Sequence, residues 1–286
     1  MKTRVITAIV GLIVLALVLL LFNTPVFNLI IAAVTLIAIY EVYHAMGMGK
    51  KEWPLLAAWV PLTLAVMFAY LPHIWRVILP MGYILVAFIC IYLVIRNGTV
   101  SYQKAAGLVM YGGIIVLCFF SLVYLKMLLP VASYKYDAVF FILLILCFAW
   151  GGDTCAYFAG RAFGKHKLCP KVSPKKTVEG AIGGVLGTMV FGVLATLIYA
   201  YAADRVEYFT QSNIGVSMYI IIALLGMVAA VLGIYGDLFA SVVKRQCGIK
   251  DYGDIFPGHG GILDRFDSVL FIAPFVTMVV TVAFYR

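Results

Sequence analysis

Acidic residues near the C-terminus have the types and spacing of a metal-assisted phosphoryl-transfer site. Asp237 lies four residues before Ser241 and seven before Lys244, so the three share one face of a helix. Asp264 and Asp267, three residues apart, share a face of the next helix. Carboxylate oxygens are the ligands that Mg²⁺ prefers and commonly shares with substrate phosphates. We therefore predict that the three aspartates ligate one or two Mg²⁺ ions, and a monovalent cation is a further candidate.

A glycine-rich turn separates the two groups. Residues 257–261 read Pro-Gly-His-Gly-Gly, which is typical of a tight turn with an exposed backbone. If the flanking helices are antiparallel neighbours, the turn brings their carboxylates together. The alternative is interfacial charge pairing, for instance of Asp237 with Lys244 and of Asp264 with Arg265. The number of polar groups favours the metal site over packing alone.

A lysine-rich segment, residues 164–180, precedes another apolar run. It carries five lysines. Lys175 and Lys176 come just before a predicted helix start, where free N–H groups already favour an anion, and Ser173 and Thr177 add hydroxyl donors. The segment is a candidate phosphate cradle. Charge alone favours the alternative, a topological anchor that touches anionic lipid headgroups.

Asp153 is the third candidate. Only 13 residues separate Asp137 from Gly151, whereas a membrane span needs about 20, so Asp153 is expected below the membrane surface. A carboxylate there costs several kcal/mol unless it is paired or hydrated, which makes it a functional hypothesis. Tyr157 and Gly160 share its helix face. The alternative is a packing face with a paired or snorkelling aspartate.

The composition defines the elements that must position these groups. Hydrophobic residues make up 65% of the 286 residues and charged residues 12%, against roughly 45–50% and 25% in soluble proteins. This excludes a soluble domain and a disordered chain, and it indicates an all-α integral membrane protein. The net charge of +9 is typical of the positive-inside bias, so no nucleic-acid partner is inferred. The six scattered cysteines suggest neither zinc nor disulfides.

Apolar runs predict nine membrane spans. They are Val5–Phe22, Pro25–Ala45, Trp53–Leu71, Val77–Ile95, Ala105–Leu129, Ala138–Phe163, Gly180–Ala203, Ile214–Lys244 and Ile262–Tyr285. With a cytoplasmic N-terminus, 16 of the 21 Lys and Arg residues fall on the cytoplasmic side, which supports this orientation and an outside C-terminus. We expect five spans in an N-terminal region, 1–136, and four in a catalytic region, 137–286.

Five other acidic residues lie near span ends or in short loops. We expect these to be solvated or interfacial: Glu41, Glu52, Asp137, Asp204 and Glu207. A run of glycines at Gly180, Gly183, Gly184 and Gly187 permits close helix contact. Packing within the chain is at least as good an explanation of this run as a dimer interface.

The C-terminal stretch resembles the signature of phosphatidate cytidylyltransferases, also called CDP-diacylglycerol synthases. The matching positions are Gly236, Asp237, Ser241, Lys244, Arg245, Lys250, Asp251, Pro257–Gly261, Asp264, Arg265 and Asp267. The family's Asp-x-x-Ala-Tyr element matches at 153–157 and its Ser-Pro-Lys-Lys-Thr-x-Glu-Gly element at 173–180. The resemblance is firm over residues 150–270, and the preceding spans match only in being hydrophobic.

The resemblance implies condensation of CTP with phosphatidic acid to CDP-diacylglycerol and pyrophosphate. It also implies dependence on Mg²⁺, a many-helix membrane fold and a homodimer. We expect a bacterial inner-membrane enzyme, and the charge-derived orientation predicts that its site faces the cytoplasm. On this basis Asp237 and Asp264 ligate metal. Asp267 is either a third ligand or a residue that contacts the ligands without binding the metal. His259 is a candidate proton acceptor or phosphate donor. Because phosphatidate is already largely anionic near neutral pH, an electrostatic role is favoured.

The resemblance also assigns roles in substrate binding. Lys244 and Arg265 neutralise phosphate charge, and Ser241 hydrogen-bonds a phosphate oxygen. Asp153 orients a lysine or binds the nucleotide. The further substrate-binding candidates are Tyr157, Ser173, Lys175, Lys176, Thr177, Arg245 and Lys250.

Other activities remain open. A CTP-dependent polyprenol kinase would transfer the γ-phosphate and release CDP. A CDP-alcohol phosphatidyltransferase is disfavoured, because Asp251 and Asp254 are followed by Ile-Phe-Pro instead of that family's motif. A transporter would place its charges near the bilayer midplane between repeats, and the sequence shows no repeat.

Overall fold

The chain is built almost entirely from helices. A computed structural model describes residues 2–98, 100–205, 210, 214–258 and 260–284. The helices are α1 (Lys2–Leu20), α2 (Pro25–Ala45), α3 (Trp53–Ala57), α4 (Trp59–Met67), α5 (Ile74–Ile95), α6 (Tyr102–Leu128), α7 (Val131–Tyr134), α8 (Asp137–Leu146), α9 (Gly152–Phe163), α10 (Val178–Arg205), α11 (Val216–Gln246), α12 (Leu263–Phe266) and α13 (Val269–Phe284). A π-helical turn, Cys147–Gly151, joins α8 to α9, and two short strands, β1 (Lys167–Cys169) and β2 (Ser173–Thr177), precede α10.

Six helical segments within the described residues are long and apolar enough to cross a membrane. They are Pro25–Ala45, Ile74–Ile95, Tyr102–Leu128, Asp137–Phe163, Val178–Arg205 and Val216–Gln246. Three shorter apolar helices, Ile9–Leu20, Trp53–Met67 and Val269–Phe284, fall where the other three spans were predicted. The helical membrane class is therefore confirmed, whereas the count of nine and the orientation stay predictions.

Proline and glycine set several helix ends. Pro25 occupies the first turn of α2, where its fixed φ suits a helix and its missing N–H costs nothing. At the C-terminal end of α11, the last turn carries Lys244 and Arg245, whose charges suit the negative end of the helix dipole. Gly248 then adopts φ +70°, and the N–H of Ile249 caps the carbonyl of Lys244 at 2.9 Å. This left-handed glycine ends α11. The loop that follows, residues 247–262 between α11 and α12, is called the signature loop below.

Packing divides the chain into two compact units that interleave along the sequence. The first comprises Met1–Val123 and Lys244–Arg265, and the second comprises Tyr124–Val243 and Phe266–Arg286. Residues 244–265, which carry much of the signature, pack with the N-terminal helices. The predicted regions, 1–136 and 137–286, stay predictions.

In the first unit, α2 contacts α1, α3 and α4, and α4 contacts α5. The buried Asn28 amide of α2 donates to the carbonyl oxygen of Met67 at 2.7 Å, which satisfies a polar group that would otherwise be costly to bury. Gly112 of α6 lies against Trp59, because a Cβ there would be 2.6 Å from the indole ring.

In the second unit, α9 and α10 form the most extensive helix pair. A Cβ added at Gly184 would lie 3.0 Å from the Cβ of Ala156, and one at Gly180 would lie 2.9 Å from the Ala156 carbonyl oxygen. Small residues allow this backbone approach. The glycine run therefore packs within the chain, which confirms one of the two explanations offered for it.

Candidate active site

In the first unit, Asp264 organises the signature loop. Its Oδ1 accepts a hydrogen bond from Nζ of Lys244 at 2.8 Å, and its Oδ2 accepts from the backbone N–H groups of Tyr252 (2.8 Å) and Gly261 (3.0 Å). Its side chain is 3% exposed. The observed ion pair is thus Asp264–Lys244, and it joins the start of the loop to its end.

The loop can close on Asp264 because of its glycines. Gly258 and Gly260 have φ angles of +76° and +83°, a region that other residues rarely adopt. A Cβ at Gly260 would also lie 2.6 Å from Oδ2 of Asp264. The N–H of Phe256 donates to the carbonyl of Gly260 at 2.9 Å. The predicted tight turn is confirmed, while His259 lies outside the described residues.

Lys244 is held by an aromatic face as well as by Asp264. Its Nζ lies 5.4 Å from the centre of the Tyr252 ring, a distance at which the ring quadrupole attracts a cation. The Tyr252 ring meets Tyr111 edge to face at 5.9 Å. Burial, and to a smaller degree Tyr111, raises the pKa of the Tyr252 hydroxyl, so this side chain stays neutral. Lys244 is therefore a fixed cation, 11% exposed.

Two N-terminal helices contact the same loop. The hydroxyl of Thr7 in α1 donates to the carbonyl of Pro257 at 3.2 Å. The carboxylate of Glu41 in α2 accepts from the N–H groups of Ile262 (2.8 Å) and Leu263 (2.9 Å). Glu41 is 2% exposed, so the prediction that it is solvated or interfacial is wrong. A carboxylate inside an apolar run is the signal that could have identified it.

An open cavity of about 700 Å³ lies beside the loop. Its lining includes the charged side chains of Lys250, Asp251, Asp254 and Arg265, together with Phe256. Cavities of roughly 300–1,000 Å³ commonly hold small ligands. Lys250, predicted to bind substrate, and Arg265, predicted to neutralise phosphate charge in catalysis, thus share one cavity.

In the second unit, Asp237 is paired with the lysine-rich segment. Its Oδ2 forms an ion pair with Nζ of Lys176, and its Oδ1 accepts from the Ser241 hydroxyl at 3.3 Å. Ser241 is buried, whereas the side chains of Lys176 and Asp237 are 26% and 23% exposed. The pair joins two motifs through residues that are 61 positions apart in the sequence.

The lysines lie on an antiparallel hairpin formed by β1 and β2, in which Lys167 pairs with Thr177. Glu179 fastens the hairpin to α10, since its carboxylate accepts from the N–H of Lys165 at 3.1 Å and lies 2.6 Å from Nδ1 of His166. The Thr177 hydroxyl accepts from the N–H of Gly180 at 3.1 Å. Thr177 therefore has a capping contact at the start of α10.

Asp153 and Asp267 are linked through Ser268, which the sequence analysis missed. The Ser268 hydroxyl donates to Oδ2 of Asp153 at 2.8 Å, and its N–H donates to Oδ1 of Asp267 at 2.9 Å. A Cβ at Gly236 would lie 2.6 Å from the carbonyl oxygen of Asp267, so the backbone beside Asp237 approaches the same segment. The π-helical turn before α9 is a feature often found at functional sites.

The remaining candidates are exposed or partly exposed. Lys175 is exposed and Ser173 half-buried on β2. Arg245 donates to the carbonyl of Ile249 at 3.2 Å. Tyr157 is 61% exposed, and its ring lies 5.4 Å from that of Phe158. These four side chains are accessible to a ligand.

The oxygens of the second unit suit Mg²⁺ chemically. Asp153, Asp237 and Asp267 supply carboxylates, and Ser241 and Ser268 supply hydroxyls, all of which are hard ligands. Within the described residues, no three His, Cys, Asp or Glu side chains form a ready metal-binding group. The oxygens of Asp264 already serve Lys244 and two N–H groups, so its role as a ligand stays a prediction.

Apolar helices therefore carry buried and paired charges at the signature positions. A model of the cytidylyltransferase family matches residues 2–283. The chain belongs to this family.

Curated relatives agree with the family assignment. Phosphatidate cytidylyltransferase of Bacillus subtilis is 30% identical over 291 residues, which cover 96% of each chain. The protein of that name from Staphylococcus aureus strain COL is 33% identical over 282 residues, 97% of this chain and 98% of the relative. The one from Rickettsia prowazekii is 43% identical over 133 residues, 46% of this chain and 55% of the relative. The similarity therefore extends to the N-terminal helices, for which the motifs alone indicated a match only in being hydrophobic spans.

Proposed function

We propose that the chain condenses CTP with phosphatidic acid to give CDP-diacylglycerol and pyrophosphate. The observation that carries this proposal is the family match across residues 2–283. The near full-length relatives named phosphatidate cytidylyltransferase support it. The reaction would serve phospholipid biosynthesis, with the nucleotide arriving from water and the lipid from the bilayer.

In this reaction a phosphate oxygen of phosphatidate attacks the α-phosphorus of CTP. The bond from the α-phosphorus to the oxygen that bridges it to the β-phosphate breaks, and pyrophosphate leaves with that electron pair. Because the attacking phosphate is already anionic near neutral pH, the step needs little help from a general base. Catalysis then consists mainly of positioning and charge neutralisation.

The chain's cations are suited to that task. Lys175 and Lys176 on the hairpin would bind CTP phosphates or the phosphatidate headgroup. Lys244, fixed by Asp264 and Tyr252, would neutralise phosphate charge without having to reorganise.

The cavity of the first unit adds further contacts. Arg265 and Lys250 line it and would bind the nucleotide there. The accessible Arg245 would add a further cation.

We further propose Mg²⁺ as the cofactor. The carboxylates of Asp237 and Asp267 would hold it, and the sequence predicts Asp264 as a further ligand. When bound, Mg²⁺ would neutralise charge on the phosphates of CTP. Ser241 would then be free to donate its hydrogen bond to a phosphate oxygen. Asp153 would hold Ser268 and, through it, the start of α13.

We also propose nine spans with a cytoplasmic N-terminus, an external C-terminus and a homodimer in a bacterial inner membrane. The bias of 16 of the 21 Lys and Arg residues to one side of the predicted spans supports the orientation. The family resemblance supports the homodimer and the bacterial inner membrane. Single-cysteine labelling of Lys50 and Lys135 positions in intact cells would test this. We expect an impermeant reagent to label the cysteine at the Lys135 position and not the one at the Lys50 position. Labelling of the Lys50 position alone would contradict this orientation.

The proposed activity is tested by identifying the lipid product. Purified protein in detergent would receive Mg²⁺ and CTP with either phosphatidic acid or a polyprenol. Mass spectrometry is expected to find CDP-diacylglycerol with phosphatidic acid and no product with the polyprenol. Formation of polyprenyl phosphate and CDP would instead establish the kinase alternative. An absence of turnover in folded protein would return the transporter to consideration.

A further inference from the structure

Glu41 stands out as a buried carboxylate outside the signature motifs. It lies near the end of α2 and is 2% exposed. Its two oxygens accept hydrogen bonds from the N–H groups of Ile262 and Leu263, at 2.8 and 2.9 Å. Among the described residues, no cation forms an ion pair with it. Burying such a group is costly, so its two backbone contacts must have a compensating use.

The backbone that Glu41 holds is the segment that leads into Asp264 and Arg265. Ile262 and Leu263 immediately precede these residues, and Asp264 in turn binds Lys244. A displacement of this segment would therefore move the partner of Lys244. It would also move Arg265, which lines the cavity.

The surrounding glycines fit the carboxylate closely. A Cβ at Gly253 would lie 2.9 Å from Oε1 of Glu41, and one at Gly261 would lie 2.6 Å from its Cδ. Both sides of the loop thus close on Glu41 at positions where a larger residue would collide. Glu41 and Asp264 together hold the loop from two directions, one through Ile262 and Leu263 and the other through Tyr252 and Gly261.

The chemistry of the contact requires an acid. A carboxylate offers only acceptors to two converging N–H groups, whereas a glutamine amide would turn its NH₂ toward one of them. That donor would face another donor, and the segment before Asp264 would shift. Aspartate would keep the acceptors with a shorter reach.

We propose that Glu41 is a positioning residue for cytidylyl transfer, which aligns Asp264, Lys244 and Arg265 by fixing the backbone at residues 262–263. This inference rests on the proposed function. It gives α2, a helix that carries none of the signature motifs, a direct part in aligning the site.

The test compares Glu41→Gln and Glu41→Asp with a matched control, Glu52→Gln. Glu52 also accepts a backbone N–H, from Gly49 at 2.7 Å, but in the loop between α2 and α3. The measurements are kcat, KM for CTP and phosphatidate, and the melting temperature in detergent. Misplacement of reacting groups by about 1 Å can cost on the order of 100-fold in rate.

We expect Glu41→Gln to lower kcat by on the order of 100-fold, with KM for both substrates within about threefold of wild type. Glu41→Asp should recover part of that loss, and Glu52→Gln should match wild type. This split between kcat and KM, with rescue by the shorter acid, is a readout that a purely structural role would not produce.

Two results would overturn the inference. One is Glu41→Gln with a wild-type kcat. The other is a loss of folded protein in both Glu41 variants, because Glu41 would then be needed for the fold and not for alignment. Wild-type protein is assayed in parallel to separate this failure from a failure of the proposed function. If the wild-type sample forms no CDP-diacylglycerol, the proposed activity itself is refuted.

Discussion

Lys176 and Asp237 form an ion pair within the second unit, which ties the β-hairpin to α11. The pair combines a residue predicted to bind phosphate with one predicted to bind metal. Each therefore has a partner of opposite charge before any ligand arrives. A phosphate bound at Lys176 would replace the negative Asp237, and a cation bound at Asp237 would replace the positive Lys176. Each residue would keep a partner of opposite sign, so the exchange would leave the local charge balanced.

Replacement of Asp237 by asparagine should remove activity and leave the fold intact. Asparagine keeps an acceptor for the Ser241 hydroxyl, but it loses the charge that pairs with Lys176 and would attract Mg²⁺. We expect kcat to fall by on the order of 10³-fold, as when a major electrostatic contribution to a transition state is removed. The measurement is CDP-diacylglycerol formation by purified protein.

Asp204→Asn is the matched control for that variant, because Asp204 is an exposed aspartate at the end of α10. It should behave as wild type. Retained activity in Asp237→Asn would remove Asp237 from the proposed metal site.

Replacement of Lys244 by methionine should lower stability as well as activity. The change leaves Asp264 buried without its cation, and breaking a buried pair typically costs about 3–5 kcal/mol. The melting temperature in detergent should fall. Adding Asp264→Asn should raise it again, because asparagine carries no charge. If the double variant melts no higher than Lys244→Met, charge burial is not the cause.

Tyr199→Phe should affect stability alone. Asp137 was expected to be solvated or interfacial, yet it is 3% exposed and accepts from the Tyr199 hydroxyl at 2.9 Å and the N–H of Thr210 at 3.1 Å. Loss of one hydrogen bond to a charged group costs about 1.5–3 kcal/mol. The variant should melt at a lower temperature with unchanged kcat at 25 °C, and a large fall in kcat would contradict this structural role.

Gly184→Val should separate α9 from α10. A Cβ at Gly184 already meets Ala156 at 3.0 Å, so a branched side chain cannot fit without moving the helix that carries Asp153. We expect lower yield, a lower melting temperature and reduced activity. Gly113→Val is the control, because a Cβ at Gly113 meets nothing within 4 Å. Equal behaviour of the two variants would argue against a close helix seam.

Local patterns predicted much of the fold. Apolar runs located the long helices, since a membrane span needs only length and hydrophobicity. The short α7 lies in a predicted loop. The glycine turn and the close packing of α10 followed from residues whose conformation or size is decisive. The hairpin at residues 167–177 was missed, because four lysines and two prolines obscure any strand alternation.

Long-range partners could not be predicted. Glu41 and Asp137 look like ordinary carboxylates at span ends, and their burial depends on donors that are distant in sequence, such as Ile262 and Thr210. Ser268 was missed because a lone serine at a helix start has many roles. Lys244 was assigned to phosphate, and only the structure reveals its pairing with Asp264.

The most direct measurement of the central claim uses CTP labelled at both the α- and γ-phosphates, with phosphatidic acid, Mg²⁺ and purified wild-type protein. The proposed activity predicts that the α label appears in the lipid and the γ label in pyrophosphate, in equal amounts. The γ label in a lipid with the α label in free CDP would contradict it.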